Sequence, residues 1–172
     1  MDQYTNSNKE QDKKPAPTPS SKQQKGALSY LDIIGPIVMI VALFLGAFYK
    51  DDGGRFAAHY VYPGYKLIFN SSYLLGTLLI LCPAIALLSG YIKSLKSYDN
   101  LIKIVMPIVT IIFVFVLKGQ IGDEVAGDTE ATLSFAFGGW IYLLGNLISI
   151  VVSGSKVLGI DLVGKISQAT KK

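Results

Sequence analysis

The stretch 133–153 carries no charged residue, and that single fact constrains the fold more than any other. About 20 such residues, rising 1.5 Å each as a helix, cross the ~30 Å hydrocarbon core of a bilayer. Within it lies Tyr142-Leu-Leu-Gly-Asn-Leu-Ile-Ser-Ile150, and a second apolar stretch upstream holds the echo Tyr73-Leu-Leu-Gly-Thr-Leu-Leu-Ile-Leu81. Composition agrees with a membrane solvent. Hydrophobic residues make up 51% of the 172 and charged residues 16%, where a soluble domain carries nearer a quarter charged. The mean hydropathy is +0.43, with the apolar residues blocked into long runs.

Four such runs predict an all-α integral membrane protein, a four-helix transmembrane bundle with spans at 30–49, 71–92, 101–117 and 133–153. Residues 1–28 are rich in Pro, Ser, Gln and Lys and nearly devoid of apolar side chains, so they read as a disordered tail. No signal peptide is expected, because the first apolar run begins only near Tyr30 and is too long for an h-region. Residues 154–172 read as a basic, weakly amphipathic segment lying on the inner membrane face.

Three spans hold a proline: Pro36, Pro83 and Pro107. Each removes a backbone N–H and frees the carbonyl four residues earlier, so each needs neighbouring groups to satisfy that carbonyl in lipid. Small residues recur at four-residue spacing, as Ala42 and Gly46, Cys82, Ala86 and Gly90, and Gly145, Ser149 and Ser153. Such stripes let helix backbones approach closely. Asn146, the most polar group well inside a span, is expected to hydrogen-bond across helices.

The connecting segments differ in character. Residues 50–70 are only partly polar, and Phe56, Tyr60, Tyr62, Tyr65 and Phe69 suit the head-group level. Residues 118–131 form an acidic stretch, expected to be a solvated loop because its spacing is not that of a calcium-binding EF-hand. The third span has only 14 residues between Lys103 and Lys118, about 21 Å of helix. Both lysines must therefore snorkel, or the bilayer must thin.

Four spans place both termini on one side. That side carries twelve lysines, against four basic residues on the other, so both termini are expected in the cytoplasm. The net charge of +4 thus reports orientation and gives no reason to expect a nucleic-acid partner.

An internal repeat is suggested by two matches in the same order. Asp32-Ile-Ile-Gly-Pro-Ile-Val38 aligns with Lys103-Ile-Val-Met-Pro-Ile-Val109, and the Tyr-Leu-Leu-Gly motifs align Gly76 with Gly145. Both units would enter from the cytoplasm, giving two parallel helical hairpins about an axis normal to the membrane. Asp32 and Lys103 then fall at equivalent places with opposite charge. Either they pair at the cytoplasmic end of the bundle, or each reaches its own interface.

No catalytic constellation is evident. His59 and Cys82 are each the only residue of their kind, which excludes a disulfide within the chain and disfavours a metal centre or cofactor site. The sequon Asn70-Ser-Ser72 abuts the second span and is discounted. The stretches Gly64-Tyr-Lys-Leu-Ile-Phe69 and Phe137-Gly-Gly-Trp140 resemble features of small bacterial four-span membrane proteins of unknown function. That resemblance implies a multi-pass protein of the plasma membrane, the inner one in a bacterium, and carries no catalytic residues with it. The expected function is non-enzymatic: an accessory, scaffolding or immunity-type component embedded in lipid, meeting copies of itself or other membrane proteins. The alternative is a small oligomeric transporter or channel, against which stands the lack of an acidic residue at mid-membrane.

Overall fold

A computed structural model describes residues 21–51, 61–70, 73–126 and 132–160, with side chains 21–29, 31, 125 and 126 outside that description. His59, Ser71, Ser72, Asp128, Glu130, the first twenty residues and segment 161–172 lie outside the described residues.

The chain is mostly helical, but it is not all-α. Helix α1 (Ser21–Ala42) is followed by strand β1 (Ala47–Asp51), strand β2 (Val61–Pro63) and the short helix α2 (Gly64–Phe69). Then come α3 (Leu74–Leu88), α4 (Asp99–Ala126), β3 (Leu133–Phe135) and α5 (Phe137–Val157). The strands form one antiparallel sheet in the order β2-β1-β3. Tyr49 is opposite Tyr62 on one side and Phe135 on the other, with an irregularity between Ala47 and Tyr49 on the β2 side.

Several expected boundaries move, each for a physical reason. The first span does not reach residue 49. The helix ends at Ala42, and Gly46, at φ +92°, a conformation glycine reaches without a Cβ clash, turns the chain into β1. Gly46 is therefore no part of a helical small-residue stripe, although Ala42 is fully buried. Helix α1 begins at Ser21, inside the segment read as a tail. The second span shortens to α3, whose 15 residues make about 22 Å. Between the second and third expected spans lies a 3-10 turn at Lys96–Tyr98, and α4 starts at Asp99 rather than 101. Helix α4 runs on to Ala126, so Lys118, Asp123 and Glu124 are helical rather than in a loop. The fourth span splits into β3 and α5, and α5 continues past Ser153 to Val157.

Among the described residues two helices, not four, are long and apolar enough to cross a membrane: Lys96–Glu124, which joins the 3-10 turn to α4, and Phe137–Val157. Among the described residues the apolar helical stretches of α1 and α3 are shorter, Asp32–Ala42 and Leu74–Leu88.

Helix α1 packs against α3 and α5, and α4 packs against the same two, so the four long helices form a ring. Helix α1 runs toward the sheet from Asp32, at its midpoint, as α4 does from Lys103 near its start, and α3 and α5 run back. The sheet closes the end away from Asp32 and Lys103. Met39, Leu43, Leu79, Val114, Leu117 and Tyr142 fill the space between the helices. Phe48 stands edge-on to both Tyr49 and Tyr142, at 4.9 and 5.3 Å between ring centroids, and joins the sheet to that core.

Candidate functional site

Each long helix contributes a side chain to one polar cluster at the end away from the sheet. Asp32 of α1 is buried and accepts from Lys156 of α5 through Oδ2. The same oxygen lies 3.6 Å from Lys103 Nζ of α4. Lys103 also donates to Asp99 Oδ2 at 2.8 Å, one turn back on its own helix. Ser89, at the C-terminal cap of α3, donates to Asp99 Oδ1 at 2.5 Å. Asp32 and Lys103 are thus brought together, and neither reaches away from the bundle on its own.

Lys156, Asp99 and Ser89 were not singled out from the sequence. Lys156 could have been found. Asn146, Ser149, Ser153 and Lys156 follow one another at spacings of three and four, one face of a single helix. Ending the span at Ser153 concealed the fourth member. Beside the cluster is a cavity of about 330 Å³ lined by Asp32, Ile33, Leu87, Gly90, Tyr91, Asp99, Asn100, Lys103 and Lys156.

The other sequence-derived residues occupy the bundle interior. Pro36, Pro83 and Pro107 lie within α1, α3 and α4, all buried. Pro83 cannot donate to the Leu79 carbonyl, and the Tyr142 hydroxyl of α5 donates to that oxygen instead, at 2.5 Å. The α5 stripe is a close contact, since a Cβ on Gly35 would meet the Gly145 carbonyl oxygen and the Ser149 backbone nitrogen, each at 3.0 Å. Gly76, its counterpart by sequence, faces the backbone of Leu67 in α2 instead.

Among the described residues Asn146 makes no bond across helices. Its Nδ2 donates to the Tyr142 carbonyl of its own helix at 2.9 Å, and its Oδ1 is buried without a partner. Ser149 Oγ and Asp32 Oδ1 are likewise buried and, among the described residues, without a partner, as is Asp51 Oδ1 at the sheet.

At the sheet end, the Tyr49 hydroxyl donates to the Val114 carbonyl at 2.6 Å. Tyr73 donates to Glu124, and burial together with that carboxylate pushes the Tyr73 hydroxyl up to about 12. Among the described residues no group of three or more His, Cys, Asp and Glu side chains could hold a metal ion. No family model, no curated protein and no solved structure matches the chain.

Proposed function

We propose that the chain is a non-enzymatic multi-pass membrane protein, an accessory, scaffolding or immunity-type component whose α1, α3, α4 and α5 all lie in the bilayer. One observation carries the reading: all four helices turn apolar side chains outward. Ile37 and Val41 of α1, Leu81 and Ile85 of α3, Ile112 and Phe115 of α4, and Leu144 and Val151 of α5 are all exposed. Burying one such side chain is worth about 1.5–3 kcal/mol, so an aqueous bundle would not leave a continuous belt of them uncovered. Helix α4 buries only 22% of its most apolar window. The core helix of a soluble protein would bury most of it.

Among the described residues the apolar stretches of α1 and α3, Asp32–Ala42 and Leu74–Leu88, are shorter than an average bilayer is thick. The 14 residues between Lys103 and Lys118 and the 15 of α3 agree on a slab of about 21–22 Å. A bilayer meets such a slab by thinning, helped by lysines reaching outward. The lysine distribution favours the charged end as the cytoplasmic one. The ring of helices and the meeting of Asp32 with Lys103 suit two parallel hairpin repeats. The resemblance to small bacterial four-span proteins points the same way and to the plasma membrane.

The side chains filling the axis, with a charged cluster at one end and a sheet at the other, favour a structural role over a conduit. Extraction in mild detergent followed by pull-down tests it: a stoichiometric membrane partner or a defined homo-oligomer is expected. The second reading, an oligomeric transporter or channel, draws on the unpartnered Asn146 Oδ1, Ser149 Oγ and Asp32 Oδ1. Solute or ion flux through liposomes holding the purified chain alone would replace the first reading with the second.

A further inference from the structure

We propose that the cavity at the charged end binds a phosphoethanolamine group, as a lipid head group or free in solution. The site has hydrogen-bonding capacity of both kinds left over. An ammonium has three N–H donors. Among the described residues Lys156 spends one on Asp32, while Lys103 turns toward Asp99 and Asp32. Both ammonium groups approach the same oxygen, Asp32 Oδ2, and Oδ1 is left buried with no donor. That oxygen is closed even to a water-sized group, so the acceptor open to a ligand is Asp99, whose carboxylate keeps lone pairs beyond those used by Ser89 and Lys103.

Charge balance then selects the ligand. Two aspartates and two lysines line the cavity. A simple anion would meet the lysines but face the carboxylates, and a simple cation would do the reverse. A zwitterion with its charges a few ångströms apart satisfies both. A phosphate suits the remaining lysine N–H groups, and a primary ammonium supplies N–H donors to the partly exposed Asp99 carboxylate. Choline has no N–H to give, and a glycerol head group has no positive charge. The volume of about 330 Å³ falls at the lower end of small-ligand pockets, about 300–1,000 Å³. Exposed Leu88, Tyr91 and Leu101 nearby give acyl chains an apolar surface to follow.

The lipid as source rests on the membrane reading above, and the chemistry of the cavity does not. The test uses the full chain in detergent, with native mass spectrometry against phosphatidylethanolamine, phosphatidylcholine and phosphatidylglycerol of equal chain length, and calorimetry with soluble phosphoethanolamine. Phosphatidylethanolamine should be retained about tenfold more tightly than either of the others, as a charge-assisted hydrogen bond allows. Lys156→Gln and Gly90→Leu should each remove the preference, and Leu147→Ala, on the outer face of α5, should leave it. If Lys156→Gln does not fold, Gly90→Leu decides, because a Cβ at Gly90 meets Asp99 Oδ1 only at 3.4 Å. Preference lost with the variants supports the site, and soluble phosphoethanolamine then tells whether the head group suffices. Equal retention of all three lipids, or a preference untouched by Gly90→Leu, overturns it. A chain that enters membranes without that preference loses this site alone. A chain that stays in water yet binds soluble phosphoethanolamine loses the membrane reading alone.

Discussion

Pro83 and Tyr142 show how one residue's defect can set another's role. Proline strips the Leu79 carbonyl of its helical donor, and in an apolar interior that oxygen must be fed from elsewhere. Tyr142→Phe should therefore lower stability by about 1–3 kcal/mol, the cost of a buried carbonyl left unsatisfied. In a Pro83→Ala background the loss should shrink to a few tenths, because an alanine at that position would restore the backbone bond. A denaturation cycle over the four variants checks this, and additive effects would refute the coupling. The need for a donor was legible from Pro83 alone, but its identity was not, since nothing local marks Tyr142 as the neighbour that reaches across. Asn146 misled in the opposite sense: its polarity suggested an interhelical bond, whereas its amide turns back to its own helix. Asn146→Leu should thus be neutral or stabilising by up to about 1 kcal/mol. A clear loss of stability would mean that a buried water meets its Oδ1.

Among the elements, periodicity found the helices and missed the sheet. Residues 44–49, FLGAFY, are apolar enough to extend α1, and only Gly46 interrupts them. Strands β1, β2 and β3 span five, three and three residues, too short for an alternation to declare itself. Their pairing is set by contacts distant in sequence, such as Tyr49 with Phe135. Lys118, Asp123 and Glu124 were read as loop for their charge, yet they extend a helix already nucleated by the apolar run before them. Glycines separate the two kinds of helix surface. At Gly76 a methyl group would run into the Leu67 backbone, and α2 could not keep its place on α3. At Gly119 it would meet nothing within 4 Å. Gly76→Ala should cost about 1–3 kcal/mol, while Gly119→Ala should gain up to about 1 kcal/mol from helix propensity. Thermal denaturation in one detergent compares them. Equal shifts would mean that α2 does not pack on α3 as described.

The whole molecule presents one cross-section to its solvent: an apolar belt between a charged knot and a sheet. If lipid is that solvent, all four long helices must be shielded alike, including α1 and α3, whose described apolar stretches are the shorter ones. Single cysteines in a Cys82→Ser background test this. At Ile37 and Leu81, exposed on α1 and α3, they should resist a membrane-impermeant maleimide as fully as cysteines at Ile112 and Leu147 on α4 and α5. Cysteines at Lys96 and Phe69 should both react, but from opposite sides, with Lys96 reached only after the cytoplasmic face is opened. Protection at Ile112 and Leu147 combined with free labelling at Ile37 and Leu81 would leave two spans in lipid and place α1 and α3 in water. Such a pattern would strand Ile34, Ile37 and Val41 on a wetted face, at a cost of about 1.5 kcal/mol or more each. Charge argues against it as well, because Asp32 and Lys156 meet at the level where Lys103 enters α4. With α1 anchored to α4 and α5 at that depth and to α3 along its length, a bilayer that accepts two of the helices has little room to refuse the others.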